Sequence, residues 1–367
     1  MEMHPETFYR IGLTLIPGIG AKLAKGLIAH CGSAKQVFLE NKKSLQKIPG
    51  IGTVASKNIA NQSVLVRAEE ELKFMEKQAV RPLFFLEPDY PQRLKLCEDG
   101  PLMLYFKGNT DLNKRQVIAM VGTRNATQYG LQFCENFCKE IKNFNPMVIS
   151  GLAYGIDVAA HKQALQAGLP TVGVLAHGLD RLYPSVHQKV ADQMLENGGL
   201  LTEFLSGTNP DRENFPKRNR IVAGISDAVV VVEAAKKGGA LITAEIANSY
   251  NRDVFAVPGN LGARFSEGCN WLIKSNRAAL LSGAQDLKYI LGWEEQERMA
   301  VQQTQMFVQL EGIEQKIWEH LQTAGGKSEL DILCLKLELS SSKVLSALMT
   351  LELKGLVNAL PGKVYSI

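Results

Sequence analysis

Val117-Ile118-Ala119-Met120-Val121-Gly122-Thr123-Arg124 opens the stretch that decides the fold. Five apolar residues in a row suit a strand buried on both faces, and Gly122-Thr123-Arg124 ends the run. An amphipathic helix follows, with Phe133, Phe137 and Ile141 on one face and Cys134 and Cys138 beside them. A second strand, Met147 to Ile149, ends at Ser150-Gly151, and Ala153-Tyr154-Gly155-Ile156-Asp157 leads into a helix reaching His161. Strand, glycine turn and helix, repeated, predict a doubly wound α/β sheet. Both turns fall at carboxyl ends of strands, where such sheets bind ligands. Bare N–H groups at the helix starts attract anions, phosphate above all.

The alternation continues downstream. Strands are expected at Thr171 to Leu175, Leu200 to Thr202, Asp227 to Val232 and Val254 to Val257. A helix from Ser185 to Glu196 carries His187 and Lys189, and Gly238-Gly239-Ala240 opens another through Ala247. The strand exits deliver Gly, Thr or Asn (Asn260 among them) towards one rim. Upstream, Leu83 to Leu86 and Leu102 to Phe106 read as short strands leading into the sheet.

The chain has 367 residues, enough for two or three domains, with 46% hydrophobic and 21% charged residues. No apolar run approaches the roughly 18 residues of a membrane span, and the acidic start is unlike a signal peptide, so cytoplasm is the default and no membrane is expected. Six cysteines without a CxxC pair suggest neither a zinc site nor a disulfide framework. Cys134 and Cys138 share a helix face, and buried packing is the reading preferred over a metal. The net charge of +4 comes from residues 1–77, which hold eleven Lys/Arg against seven Asp/Glu. That excess is compatible with a nucleic-acid partner.

Those first residues contain a repeat. Ile16-Pro17-Gly18-Ile19-Gly20 with Lys22 is echoed by Ile48-Pro49-Gly50-Ile51-Gly52 with Lys57. Each resembles a helix-hairpin-helix, whose glycine turn lets backbone amides approach a phosphate without reading sequence. Gly18, Gly20, Lys22, Gly50 and Gly52 are thus secondary DNA-binding candidates, although a turn that merely joins packed helices has the same pattern. At the other end, a Glu- and Gln-rich linker from Gly292 to Val308 precedes three helices and a hairpin around Pro361-Gly362, a winged-helix pattern. Ser340-Ser341-Ser342 caps its third helix, with Val344, Leu345, Leu348 and Leu351 as the apolar side. This segment, 308–367, has six basic residues against seven acidic ones, which disfavours duplex reading.

Val121-Gly122-Thr123-Arg124, Ser150-Gly151-Leu152-Ala153-Tyr154-Gly155-Ile156-Asp157 with Ala160-His161, Tyr183-Pro184, Phe215-Pro216-Lys217-Arg218-Asn219-Arg220-Ile221, Glu233-Ala234 and Val257-Pro258-Gly259 follow one another as in the DprA (Smf-like) family. These are the DNA-processing, or DNA-protecting, proteins of bacterial natural transformation and competence. The resemblance is dense over about 80–290 and looser in the flanks. It implies a recombination mediator that binds single-stranded DNA as a homodimer and loads the RecA recombinase onto it. It also implies an extended Rossmann-like core (79–291) between a helix-hairpin-helix domain (1–78) and a winged-helix domain (308–367). No GxGxxG follows the first strand, so NAD is disfavoured and no cofactor is expected.

The candidate DNA-binding residues are Gly122, Thr123, Arg124, Gly151, Lys189, Phe215, Lys217, Arg218, Asn219, Arg220, Gly238, Gly239 and Asn260, with Phe215 or Tyr183 as a stacking platform. No catalytic or metal-binding residue is expected. Asp157 and His161, four apart on one helix, are read as a structural hydrogen bond in preference to an acid/base pair. Lys217, Arg218 and Arg220 are expected near the start of a helix capped by Asn214 or Phe215. There they would serve a ligand and cost the empty fold stability. The rival reading is a nucleotide phosphoribohydrolase, whose glycine loop and glutamate Gly238, Gly239 and Glu245 partly match. Lys237 and Leu241 depart from that pattern.

Overall fold

The computed structural model describes residues 5–294, 310, 312–324, 326–354, 356–360 and 362–366. Most of the expected linker, and Pro361 of the expected hairpin, lie outside the described residues. The chain forms two compact units, Met1–Gln296 and Glu297–Ile367.

The first unit begins with six helices: α1 (Pro5–Thr14), α2 (Ala21–Cys31), α3 (Ala34–Leu39), α4 (Lys42–Leu45), α5 (Thr53–Asn61) and α6 (Val64–Gln78). The core then runs β1 (Arg81–Phe84), α7 (Gln92–Lys95), β2 (Met103–Gly108), β3 (Val117–Val121), α8 (Gln128–Glu140), β4 (Met147–Ser150), α9 (Ile156–Ala167) and β5 (Thr171–Val174). It continues through α10 (Gln188–Glu196), β6 (Gly198–Thr202), α11 (Asn214–Ile225), β7 (Ala228–Val231), α12 (Gly239–Ser249) and β8 (Asp253–Ala256). It closes with α13 (Glu267–Lys274), β9 (Ala279–Leu280) and α14 (Ala284–Leu291). Nine strands make one sheet in the order β1-β2-β6-β5-β4-β3-β7-β8-β9. From β6 to β9 all pairs are parallel; β2 runs antiparallel to β6, and β1 to β2.

The apolar run at Val117 behaves as its composition demands. Val117, Ala119 and Val121 face the cluster under α11 and α12, while Ile118 and Met120 face Cys134, Phe137 and Ala160 of α8 and α9. Cys134 and Cys138 are buried in that layer, and burial pushes the Cys134 thiol up to about 12. Such thiols are protonated packing groups. From β3 the chain winds one way through β4, β5 and β6, then returns to lay β7 on the other side of β3. The reversal leaves a crevice between the carboxyl ends of β3 and β7, where open sheets bind ligands.

Some expectations need correction. The strand expected at Leu83 to Leu86 is Arg81–Phe84. Its Pro82 is tolerated because β1 is an edge strand, paired to β2 alone. The helices α7, α13 and α14 and the strand β9 were not foreseen. Helix α11 starts at Asn214 with Glu213 as N-cap residue, not at Pro216.

The six N-terminal helices share a hydrophobic cluster with Phe84, Leu102, Met103 and Tyr105 of the sheet's antiparallel end. The buried Glu71 carboxylate accepts hydrogen bonds from the Ser206 N–H (3.0 Å) and from Arg67 (2.8 Å).

The second unit comprises α15 (Ile313–Thr323), β10 (Lys327–Glu329), α16 (Leu330–Leu337), α17 (Ser341–Leu353), β11 (Asn358–Leu360) and β12 (Val364–Ser366). Its three helices and small sheet, ordered β10-β12-β11, make a winged helix, with β10 the unforeseen element. On α17 the buried residues are Val344, Ala347, Leu348 and Leu351. Leu345, expected inside, is exposed.

Among the described residues no helix is long and apolar enough to cross a membrane, and no group of three or more His, Cys, Asp or Glu is placed to hold a metal.

Candidate nucleic-acid interface

The crevice between β3 and β7 has a volume of about 360 Å³. Its walls bring together nine of the residues singled out from sequence: Gly122, Thr123, Arg124, Gly151, Phe215, Arg218, Asn219, Gly238 and Gly239. Three elements build it. The turn after β3 supplies Thr123 and Arg124, α11 supplies Phe215, Arg218 and Asn219, and the turn into α12 supplies the two glycines.

Arg218 is the centre of the site. Its side chain is buried, Nη1 donates to the Val174 carbonyl at 2.6 Å, and Nε has no partner among the described residues. Burial pushes its pKa down, opposed by Asp157. Burial likewise pushes the Asp157 carboxyl up, opposed by Arg218. The two face one another across Gly151, where a Cβ would press into both the guanidinium and the carboxylate. Gly151 is therefore glycine to make room for Arg218. A buried N–H donor without an acceptor costs about 1–3 kcal/mol.

The two helix starts facing the crevice differ. At α9 the Ile156 N–H donates to the Thr123 carbonyl (3.1 Å), Val158 N–H to the Ala153 carbonyl (3.3 Å), and Ala153 N–H to Asp157 Oδ2 (3.4 Å). Gly155, at φ +77°, makes the tight turn that brings Thr123 there. The expectation that this turn offers bare amides is thus corrected. At α12 the N–H groups of Gly239, Ala240 and Leu241 find no acceptor among the described residues, and Gly238 and Gly239 stand clear of close neighbours apart from Asn219. The positive end of the α12 dipole therefore opens on the crevice. Asn219 ties the two helices together, Nδ2 to the Gly239 carbonyl (3.4 Å).

Sequence reasoning missed Lys237, Arg264 and Asn125, all exposed crevice residues. Lys237 sits beside Gly238 and was discernible as the cation before a helix N-terminus. Arg264 follows the β8 exit by a loop whose path no local pattern announces.

Beside the crevice lies a slot lined by Tyr154, Tyr183, Phe215 and His177, with a volume of about 30 Å³. It admits no more than a water or two. Any base must therefore lie on its rim, where the Arg124 guanidinium stands 5.3 Å from the Phe215 ring centroid and Tyr183 meets Phe215 edge-on at 6.4 Å.

Four candidates lie elsewhere. Lys189 is exposed on α10 and lines neither the crevice nor the slot. Lys217 is exposed and outside both as well. Arg220 points to the opposite side of α11, pairing with Glu203 and donating to the Asp99 carbonyl. Asn260 lines a neighbouring hollow with Tyr129 and Glu233 that meets the crevice at Arg264 and Phe265. The three cations of α11 are thus not one ligand cluster weakening the empty fold. Arg218 and Arg220 each have partners in the protein, because the helix turns successive residues to different walls.

The helix-hairpin-helix turns have the expected form, with Gly18 at φ +82° and Gly50 at φ +83°. They also pack together: Asn58 Nδ2 donates to the Pro17 carbonyl (3.1 Å), and a Cβ on Gly50 would strike Leu23. Lys22 pairs with Glu98. Gly18, Gly20 and Gly52 have open space around them.

Asp157 and His161 do not pair with each other. His161 Nε2 donates to the Gly151 carbonyl (2.5 Å), Nδ1 lies 2.7 Å from the Thr171 hydroxyl, and burial lowers its pKa to about 4. A neutral, fully engaged imidazole is no acid/base catalyst at neutral pH. Glu245, which the hydrolase reading needs in the crevice, is exposed and faces Arg277 (3.4 Å).

Comparison with known proteins agrees with this geometry. Residues 81–291 match the family model described as DNA recombination-mediator protein A, and residues 308–363 match the DprA winged helix domain. DNA processing protein DprA of Streptococcus pneumoniae is 40% identical over 202 residues, covering 55% of this chain and 71% of that protein. Protein Smf of Escherichia coli is 34% identical over 317 residues, covering 81% and 83%. The X-ray structure of the Streptococcus pneumoniae protein superposes with TM-score 0.65 at 30% identity, over 79% of this chain and 99% of that one. That of DNA processing protein A from Helicobacter pylori, described for its single-stranded DNA binding mode, gives 0.53 at 29% identity, over 58% and 95%.

Proposed function

This chain belongs to the DNA recombination-mediator protein A family, and from that premise we propose that it binds single-stranded DNA in the β3–β7 crevice and, as a homodimer, loads a RecA recombinase onto the strand. The observation that carries the binding reading is the open α12 start, which lines the same crevice as Arg218. A backbone phosphate accepts from the α12 amides, and Arg124, Lys237 and Arg264 surround it with charge. Bases stack on the Phe215–Tyr183 rim without entering the slot, so affinity is tolerant of sequence. The remaining candidates, Lys189, Lys217, Asn260 and the helix-hairpin-helix turns, stand as secondary contacts along a longer strand.

The winged helix serves protein contact. Its α17 carries Lys343 as the cation of its outer surface and exposes Leu345, Met349 and Leu353, a poor set for reading base edges. The deciding experiment titrates single- and double-stranded oligonucleotides at two salt concentrations. Single strands bind more tightly, and log K falls with log salt at roughly −0.7 per phosphate contact. A flat salt response, or tighter binding of duplex by the protein, refutes the reading.

A further inference from the structure

Arg124 does not belong to the crevice alone. It lines the crevice, the aromatic slot and a third depression of about 410 Å³ between α8 and α9. Tyr154 joins the slot to that groove. It is half-exposed and rests edge-on against His187 at 5.1 Å, which leaves a ring face open. Farther along, Lys162 of α9 is exposed and has no partner among the described residues, and the amides of Gln128 and Gln163 are likewise unengaged. The groove's carboxylate, Glu135, is already neutralised by Lys139 at 2.6 Å. The groove spans Gln128 to Glu135 of α8, roughly 10 Å of helix at 1.5 Å per residue, which is longer than one phosphate needs.

Resting on the crevice reading above, we propose that a bound single strand leaves the crevice over Arg124 and continues along the α8–α9 groove, one base stacked on Tyr154 and the next phosphate held by Lys162. The alternation of cation, aromatic face, neutral amide and cation suits a charged backbone with flat bases. A protein helix would need a continuous apolar strip, and here Leu131 and Val158 are its scattered apolar members. Helix α9 so contributes by its side chains what its sealed N-terminus does not give by its amides.

Oligonucleotide length separates this track from the crevice. A 5′-phosphorylated thymidine dinucleotide fills the crevice alone, whereas a long oligo-dT also occupies the groove. Tyr154→Ala should weaken the long oligomer on the order of tenfold, and Lys162→Ala should make its salt slope shallower by about 0.7. Lys162→Ala, which lies outside the crevice and the slot, should leave dinucleotide binding unchanged. Unaltered affinity for the long oligomer in the Tyr154→Ala, Lys162→Ala double variant overturns the track while leaving the crevice reading intact. Equal losses at both lengths also overturn it, because the residues then act in the crevice. A wild-type protein that binds neither oligomer sinks both readings together.

Discussion

Helices α9 and α12 start in nearly the same setting: each follows a glycine at the carboxyl end of a parallel strand, and each points its N-terminus at one crevice. They use that setting in opposite ways. At the start of α9 the Ile156 and Val158 N–H groups are taken by the Thr123 and Ala153 carbonyls, and the Asp157 carboxylate takes the N–H of Ala153 just before the helix. Helix α12 is left open, with no acceptor among the described residues for the N–H groups of Gly239, Ala240 and Leu241. The closed terminus builds a rigid wall that holds Arg218 and Asp157 on either side of Gly151. The open one is where the proposed reading seats the ligand. An anion site needs both, because free donors bind tightly only when the groups around them are already fixed.

Substitutions at the glycines of the two sides should separate these roles most sharply. Gly151→Ala places a methyl against Arg218 and Asp157 and should cost about 3 kcal/mol in urea unfolding, with single-strand affinity lost alongside. A variant as stable as wild type would show that the wall yields and that the contrast is weaker than drawn.

The next largest effects are expected from the cations of α11. Arg220→Gln strands the Glu203 carboxylate, which has one oxygen already without a partner, and should lower stability by about 2 kcal/mol with DNA affinity nearly unchanged. Arg218→Gln should do the reverse in emphasis. It should weaken single-strand binding by about 2 kcal/mol, the worth of hydrogen bonds to a charged group. If the two variants lost affinity equally, Arg220 would belong to the ligand after all.

A smaller effect concerns pH and the closed wall. His161 keeps its proton off down to about pH 4 in the fold, against 6.5 in the unfolded chain. The unfolded chain therefore binds the extra proton between those values. Stability is full above 6.5 and falls as pH drops, by up to about 1.4 kcal/mol per pH unit from this group. Thermal melts across that window in wild type and His161→Gln measure it: the variant should lack that part of the slope. Equal slopes would mean that His161 is protonated in place. Smallest of all, Gly238→Ala meets no neighbouring atom and should change stability by less than about 1 kcal/mol, while its methyl narrows the approach to the α12 amides and weakens binding. Undiminished binding would place the phosphate away from Gly238.

The layered core was legible because its signals are local. A run such as Val117 to Val121 has one plausible use, and a glycine turn marks each strand exit. The same signals placed Gly122, Arg124, Arg218 and Gly239 on one rim. What they could not give was the difference between the two helix starts, since the acceptor for the first α9 amide is the Thr123 carbonyl of another turn, a tertiary matter. Arg218 and Arg220 are two residues apart and looked like one cluster, yet α11 sends them to different walls. Leu345 failed for a related reason: an apolar residue at helical spacing is read as core, and α17 keeps it outside. Elements such as α13 and β9 went unseen because they are short and lie in sequence without clear periodicity.

The sheet order also sets a timetable for synthesis. Strand β2 pairs with β6, whose residues leave the ribosome long after those of β2, and the helical region leans on β1 and β2 through Phe84, Met103 and Tyr105. Helices α1 to α6 can form as they emerge, since their contacts are local. The edge of β2 must nevertheless wait, unpaired, until Thr202 is made and β6 closes the antiparallel end. Non-local closure of this kind is slow and exposes sticky surface meanwhile. For this chain, the moment of greatest vulnerability on the ribosome falls between the end of β2 and the arrival of β6.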